Sequence, residues 1–267
     1  MGIYDGYYLY CDLDGTLLNE DKRVSEENRT AIHSFVEQGG RFGLATGRVP
    51  AILRSVEDNL PINAPCILYN GGGLYDLTSR KFLTKHPLSY DLAAEAVACV
   101  VSARGDACVQ IFTDSGIYEV NADQRDDPQT VLEQIPVTSV PMEQIEGSVL
   151  KLLIAHETAD ISQIHAAVRN APFFDQLTAF RSSDNYLEIV ALNVSKGSAL
   201  SDVRARCGDV KKILAIGDYN NDLEMVLRAD IGAAPANAIA EVKSAADIVL
   251  AVDNNHHCVA RFLEAVL

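Results

Sequence analysis

Short apolar runs, each closed by glycine or a polar residue, mark both ends of the chain. Tyr7–Cys11 is aromatic and apolar throughout and reads as a buried strand. A helix is predicted from about Ser25 to Gln38, with Ser25 as its cap and Gly39-Gly40 as its stop. Arg41–Ala45 is the next strand and ends at Thr46-Gly47-Arg48. Pro50 then opens a helix over Ala51–Asn59, and Cys66–Tyr69 is a third strand ending at Asn70-Gly71-Gly72-Gly73. Strands separated by helices imply a parallel sheet with crossover connections. Ligands in such sheets sit at the carboxyl ends of the strands. Asp12, Thr46 and Asn70 fall at three such ends.

The pattern changes near Thr84. Leu88–Ala103 reads as a helix, and Val109–Phe112 with Ile117–Val120 as a hairpin around Asp114-Ser115-Gly116. A short helix over Pro128–Gln134, a strand over Ser148–His156 and a helix over Ile161–Arg169 follow. Thr178–Arg181 and Tyr186–Val190 form a second hairpin. Lys151 interrupts the apolar strand Val149–Leu153, either as an outward-facing lysine on a half-exposed strand or as one facing a cleft. Helix plus hairpin, occurring twice, suggests a separate α+β unit. The parallel pattern resumes after Ser195. It comprises a helix over Gly197–Cys207, a strand over Ile213–Ile216, a helix over Asp222–Ala229 and a strand over Ile231–Ala233. A helix over Ala238–Ala245, a strand over Ile248–Ala251 and a carboxyl-terminal helix complete it. The expected organisation is a discontinuous α/β core, residues 1–83 and 191–267, with a smaller α+β domain, residues 84–190, inserted into it.

The 267 residues are 48% hydrophobic and 22% charged, an ordinary globular balance. A formal net charge of -15 argues against nucleic acid or an anionic membrane as partner. It also means that a phosphorylated substrate needs local positive charge. No apolar run reaches the roughly 18 residues that span a bilayer, and Asp5 breaks the first apolar residues where a secretory signal would lie. The six cysteines form no CxxC pair, and most lie in apolar stretches. A reduced, cytoplasmic protein is expected; the oligomeric state is not visible.

The candidate chemistry gathers at strand ends. Asp12 and Asp14 lie two residues apart where the first strand closes, hence on one side. Close carboxylates repel unless a proton or cation lies between them. Mg²⁺, a hard ion taking oxygen ligands, is the natural cation, though a site of oxygen ligands would discriminate poorly against Mn²⁺ or Co²⁺. One carboxylate is then free to attack phosphorus. Asp218 is the first carboxylate beyond the strand Ile213–Ile216, with Asn221 and Asp222 opening the next helix. Each feature has a plain structural counterpart: a polar turn for Asp12–Thr16, a helix cap for Thr46 and for Asn221-Asp222, and a solvated side chain for Lys196.

The order distinguishes them. Asp-x-Asp-Gly-Thr at Asp12–Thr16, Thr46-Gly47-Arg48, Lys196-Gly197 and Gly217-Asp218-x-x-Asn221-Asp222 together resemble the haloacid dehalogenase superfamily of phosphatases, in its Cof-type branch. The resemblance covers the whole chain and implies a Rossmann-like parallel core with an inserted cap. It implies that Asp12 is the nucleophile and a Mg²⁺ ligand. Asp14 would be the general acid and then base, its backbone carbonyl also touching the metal, and Asp218 a third metal contact. Thr46, Gly47, Lys196 and Asn221 would bind the phosphoryl group. Asp222 would support the metal shell or Lys196. Asn70 would contact substrate or form the hinge turn, and Arg48 would reach the cap or substrate or make a structural ion pair. The activity implied is Mg²⁺-dependent hydrolysis of small phosphorylated metabolites such as sugar phosphates. Phosphoryl transfer between sugar hydroxyls is the alternative, and a noncatalytic binding protein on the same scaffold a further one.

Overall fold

The computed structural model describes residues 2–57, 60–121, 136–156 and 158–266. The chain divides into two compact units, Met1–Thr84 with Ser195–Leu267, and Lys85–Val194. The helix expected over Pro128–Gln134 lies outside the described residues.

The first unit is built on five parallel strands in the spatial order Ile248–Val249, Ile231–Ala234, Lys212–Ile216, Tyr7–Cys11, Arg41–Leu44. Leu9, Tyr10 and Cys11 are fully buried, as expected of a central strand covered on both faces. Chain order runs outward from Tyr7–Cys11 to Arg41–Leu44 and returns on its other side through Lys212–Ile216. The topological switch therefore lies between Tyr7–Cys11 and Lys212–Ile216, where such sheets place their ligands. The helix Glu26–Glu37 is capped by Ser25, whose hydroxyl accepts the Asn28 amide, and buries Ile32 and Phe35.

Cys66–Leu68 departs from the parallel pattern. A single parallel bridge, Ala45 to Ile67, ties it to the main sheet. Its ladder is antiparallel with Gly73–Asp76, and Lys81–Lys85 completes a three-stranded sheet. Left-handed backbone at Tyr69, Asn70 and Gly71 turns the chain straight back. The glycine run reads as a loop in the sequence, which hid the two returning strands.

The inserted unit is a six-stranded sheet in the order Leu177–Ser183, Tyr186–Ala191, Val149–Ala155, Cys108–Thr113, Ile117–Glu119, Thr138–Ser139. One face carries Val109, Ile111, Leu152, Ile154, Leu187 and Ile189. These pack on apolar residues of the helices Tyr90–Ala103 and Thr158–Arg169. Lys151 stands on the other face but is not outward in solvent. It is 4% exposed, its Nζ lies 2.9 Å from Glu188 Oε2, and it sits over the Phe112 ring. The register pairs Phe112 with Lys151 and Leu153 with Glu188, which brings the two charges to one face. All six cysteines are free, and no described helix is long and apolar enough to cross a membrane.

Candidate active site

Strand register assembles the first two carboxylates. Cys11 stands opposite Ile216, and the Asp12 amide donates to the Ile216 carbonyl at 3.0 Å. The two chains leave the sheet at one level, so Asp12 and Asp218 emerge side by side. Thr16 Oγ1 donates to Asp218 Oδ1 at 2.7 Å. Gly15 has φ +80, and a Cβ there would lie 2.4 Å from Asp218 Oδ2. Gly15→Ala is therefore expected to displace Asp218 and strain the turn, lowering stability by about 1–3 kcal/mol. Urea unfolding checks this.

The other wall is the helix Lys196–Arg206. Ser195 caps it through a reciprocal box with Ser198. Lys196, its first residue, is wholly buried. A cation is misplaced at a helix amino terminus, but its Nζ donates to Asp12 Oδ1 at 2.6 Å and Asp222 Oδ1 at 2.7 Å. Asp222 Oδ2 accepts the amides of Asp218 and Tyr219 at 3.0 and 3.1 Å. Both Asp222 oxygens are thus engaged, and its work is to hold Lys196 and the Asp218 turn.

One carboxylate oxygen each from Asp12, Asp218 and Asp222 lie within 4.8 Å of one another. Burial above all, with the Asp222 charge next, pushes the Asp12 carboxyl well above the usual range, against the pull of Lys196. The same first two causes push Asp218 up to about 7, against the Thr16 hydrogen bond and Lys196. A crowd of oxygen donors whose charge is under-compensated fits a hard divalent cation, with Asp12 and Asp218, less committed to hydrogen bonds than Asp222, as the side chains best placed to ligate it. The Asp14 carboxylate is outside this trio.

Asp14 faces cations instead. Arg48 Nε and Nη2 donate to its Oδ2 and Oδ1, each at 2.9 Å, and Lys22 Nζ donates to Oδ1 at 2.7 Å. Burial alone would raise its pKa; Arg48 first and Lys22 next outweigh burial and hold it below the ordinary value. Asp14 is a carboxylate in this state, a base awaiting its proton. Arg48 is thus an ion-pair partner of Asp14.

Thr46 is buried at the end of Arg41–Leu44, but its backbone amide is not available to a phosphate. That amide donates to the Ile67 carbonyl at 2.8 Å, because the Ala45–Ile67 bridge carries the sheet one residue further. Its hydroxyl oxygen accepts the Arg48 amide at 3.2 Å and keeps its own proton to donate. Asn70, buried with φ 53, donates its amide to the Thr46 carbonyl at 3.1 Å, and its Oδ1 accepts Asn221 Nδ2 at 3.1 Å. Asn70 therefore links the Thr46 and Asn221 loops. A Cβ on Gly47 would lie 2.9 Å from Asn70 Nδ2, so glycine lets that side chain in. Sequence reasoning assigned no role to Thr16, Lys22 or Asn237, whose Nδ2 donates to the Gly15 carbonyl at 2.7 Å. Thr16 was in view within the Asp12–Thr16 motif; the other two carry no local signal.

Residues 9–263 match the family model of the haloacid dehalogenase-like hydrolases. The chain belongs to that family. It is 29% identical over 283 residues to the Bacillus subtilis 5-amino-6-(5-phospho-D-ribitylamino)uracil phosphatase YwtE, covering 96% of each chain. A crystal structure of a haloacid dehalogenase-like hydrolase from Bacteroides thetaiotaomicron superposes with TM-score 0.82 at 26% identity, covering 99% of this chain and 100% of that one. TM0651 from Thermotoga maritima superposes with TM-score 0.80 at 28% identity, covering 99% and 98%. The α/β core with an inserted α+β unit is thus the architecture of a haloacid dehalogenase-like hydrolase, and the matched residues span the acidic strand ends at Asp12 and Asp218.

Proposed function

We propose that this haloacid dehalogenase-like hydrolase is a Mg²⁺-dependent phosphomonoesterase, acting on small phosphorylated metabolites through an aspartyl-phosphate at Asp12. The observation that carries this is the setting of the Asp12 carboxylate. One oxygen is fixed by buried Lys196, and the group lies beside Asp218, where a cation would screen it from an anionic substrate. The similarity to a phosphatase whose name specifies a phosphorylated ribityl compound supports a polyhydroxylated leaving group.

In the first step Asp12 Oδ2 forms a bond to phosphorus as the bond to the leaving oxygen breaks, and Asp14, having first taken a proton from solvent, delivers it to that oxygen. In the second, Asp14 takes a proton from water, the water oxygen bonds to phosphorus, and the Asp12–phosphorus bond breaks to free inorganic phosphate. Lys196, the Thr46 hydroxyl, the Gly47 backbone and Asn221 hold the phosphoryl oxygens as charge spreads over them. Asp12, Asp218 and the Asp14 backbone carbonyl would hold Mg²⁺, which would supply charge neutralisation at the phosphoryl group. Asp222 and Asn70 position Lys196 and Asn221.

Phosphate release from a panel of sugar, polyol, nucleotide and cofactor phosphates, with Mg²⁺ and with chelator, tests this. Release that requires the metal is expected. A phosphosugar isomerised without free phosphate would reassign the activity to phosphoryl transfer.

Metal should also stabilise, in a pH-dependent way. A carboxyl whose pKa is raised by folding retains its proton where the unfolded chain has lost it. Its stabilisation is complete below the ordinary carboxylate value of 3.8 and is lost as pH rises to about 7 for Asp218. Ionised, the group welcomes a cation. The melting-temperature gain from Mg²⁺ over chelator should therefore be several degrees at about pH 8 and much smaller at about pH 5. Equal gains at both would contradict the site.

A further inference from the structure

Lys22 is out of place as an ordinary surface residue. It lies in the loop Asn19–Arg23 with φ +58, left-handed backbone that lysine rarely adopts. The loop is pinned in that shape. The Lys22 amide donates to the Asn19 carbonyl at 2.9 Å, the Asn19 amide to the Arg23 carbonyl at 3.0 Å, and the Arg23 amide to Asn19 Oδ1 at 2.9 Å. The side chain is 59% exposed yet reaches Asp14 Oδ1 at 2.7 Å. An exposed lysine pair of this kind contributes little to stability and orders a flexible side chain. The turn's own hydrogen bonds hold this backbone, and the turn delivers the Lys22 ammonium to Asp14.

The division of bonds on Asp14 gives the function. Arg48 alone would leave the two oxygens equivalent, one donor on each. Lys22 adds a second donor to Oδ1, while Oδ2 accepts only Arg48 Nε among the described residues. Taking the phosphatase reading of the same site as given, we propose that Lys22 is a positioning residue. By filling the second lone pair of Oδ1 it makes Oδ2 the oxygen that exchanges a proton with the leaving group and then with water. The proton leaves Oδ2 for the leaving oxygen in the first step and returns to Oδ2 from water in the second, so Lys22 itself gains and loses nothing.

Three variants separate this role from a structural one. Lys22→Gly keeps the turn, since glycine adopts positive φ without steric penalty. Lys22→Met removes the charge and keeps the stem, and Lys22→Arg restores a cation. Melting temperature, kcat and KM would be measured with Mg²⁺ present, on the alkyl monoester that the substrate panel ranks first and on para-nitrophenyl phosphate. The aryl oxygen departs without a proton, and kcat/KM covers the steps up to that departure. Lys22→Gly should melt no lower than wild type, yet lose about 10- to 100-fold in kcat/KM on the alkyl ester. The loss should fall on kcat, be under about 3-fold on the aryl ester, and be partly recovered by Lys22→Arg. An unchanged alkyl rate, an equal loss on both esters, or a loss confined to KM would overturn the assignment. Wild-type protein that releases phosphate from neither ester would instead overturn the phosphatase reading, and the role of Lys22 would fall with it.

Discussion

Asp12→Asn is expected to lower phosphate release by at least about 10⁴-fold, because an amide cannot replace the attacking carboxylate. The fold should survive. Asn is isosteric, and its oxygen can still accept the Lys196 hydrogen bond that Asp12 Oδ1 accepts at 2.6 Å. The substitution also removes one negative charge from a buried group already pushed toward its neutral form. In chelator the variant should therefore melt within a few degrees of wild type. Mg²⁺ should stabilise it less, since one of two available side-chain ligands has lost its charge. Phosphate release and thermal melts on the same sample check both halves. Substantial activity in a folded Asp12→Asn protein would exclude the covalent route.

Lys196→Ala is expected to cost both activity and stability. Lys196 is wholly buried between Asp12 and Asp222. Burial alone would lower its pKa, but the two carboxylates outweigh burial and raise it. For a lysine with a raised pKa, the stabilisation is complete below the ordinary value of 10.5 and is lost only as pH climbs through the higher folded value. The amine is therefore charged at any working pH. Removing it leaves two buried carboxylates facing each other, a loss of about 3–5 kcal/mol. Asp222 would also loosen its hold on the Asp218 and Tyr219 amides. Urea unfolding in chelator measures the loss, and Mg²⁺ should restore part of it. Lys196→Arg should not rescue the site, because a planar fork does not fit a point between two single oxygens. A Lys196→Ala protein as stable as wild type would show that the three charges are not coupled as the geometry implies.

Much of this was legible in the sequence, for a physical reason. The central strands of a parallel sheet are apolar on both faces, so Tyr7–Cys11 and Ile213–Ile216 stand out as continuous runs. Polar residues just beyond them mark the ligand edge, which is why Asp12, Asp218 and Thr46 stand out as candidates. Legibility ended where tertiary pairing decides. Cys66–Leu68 has the composition of a parallel strand, and only the left-handed turn at Tyr69–Gly71 shows its antiparallel partner. Lys151 looks solvated in one dimension; strand register brings Glu188 to it. Nothing local to Thr46 shows that its amide is taken; only the fold supplies Ile67 as its acceptor. Lys22 and Asn237 sit in loops whose partners, Asp14 and Gly15, are set by the packed chain and by no periodicity.

The central claim is that the Asp12 carboxylate takes the phosphoryl group. Asp14→Asn should allow an aryl phosphate to react, since its leaving oxygen needs no proton, while slowing the attack of water. Para-nitrophenyl phosphate mixed with that variant and Mg²⁺, quenched in acid and digested, should give the Asp12 peptide heavier by one phosphoryl group, with about one equivalent of phenolate released in a burst. Phenolate released with steady turnover and no phosphoryl group on the Asp12 peptide would contradict the account.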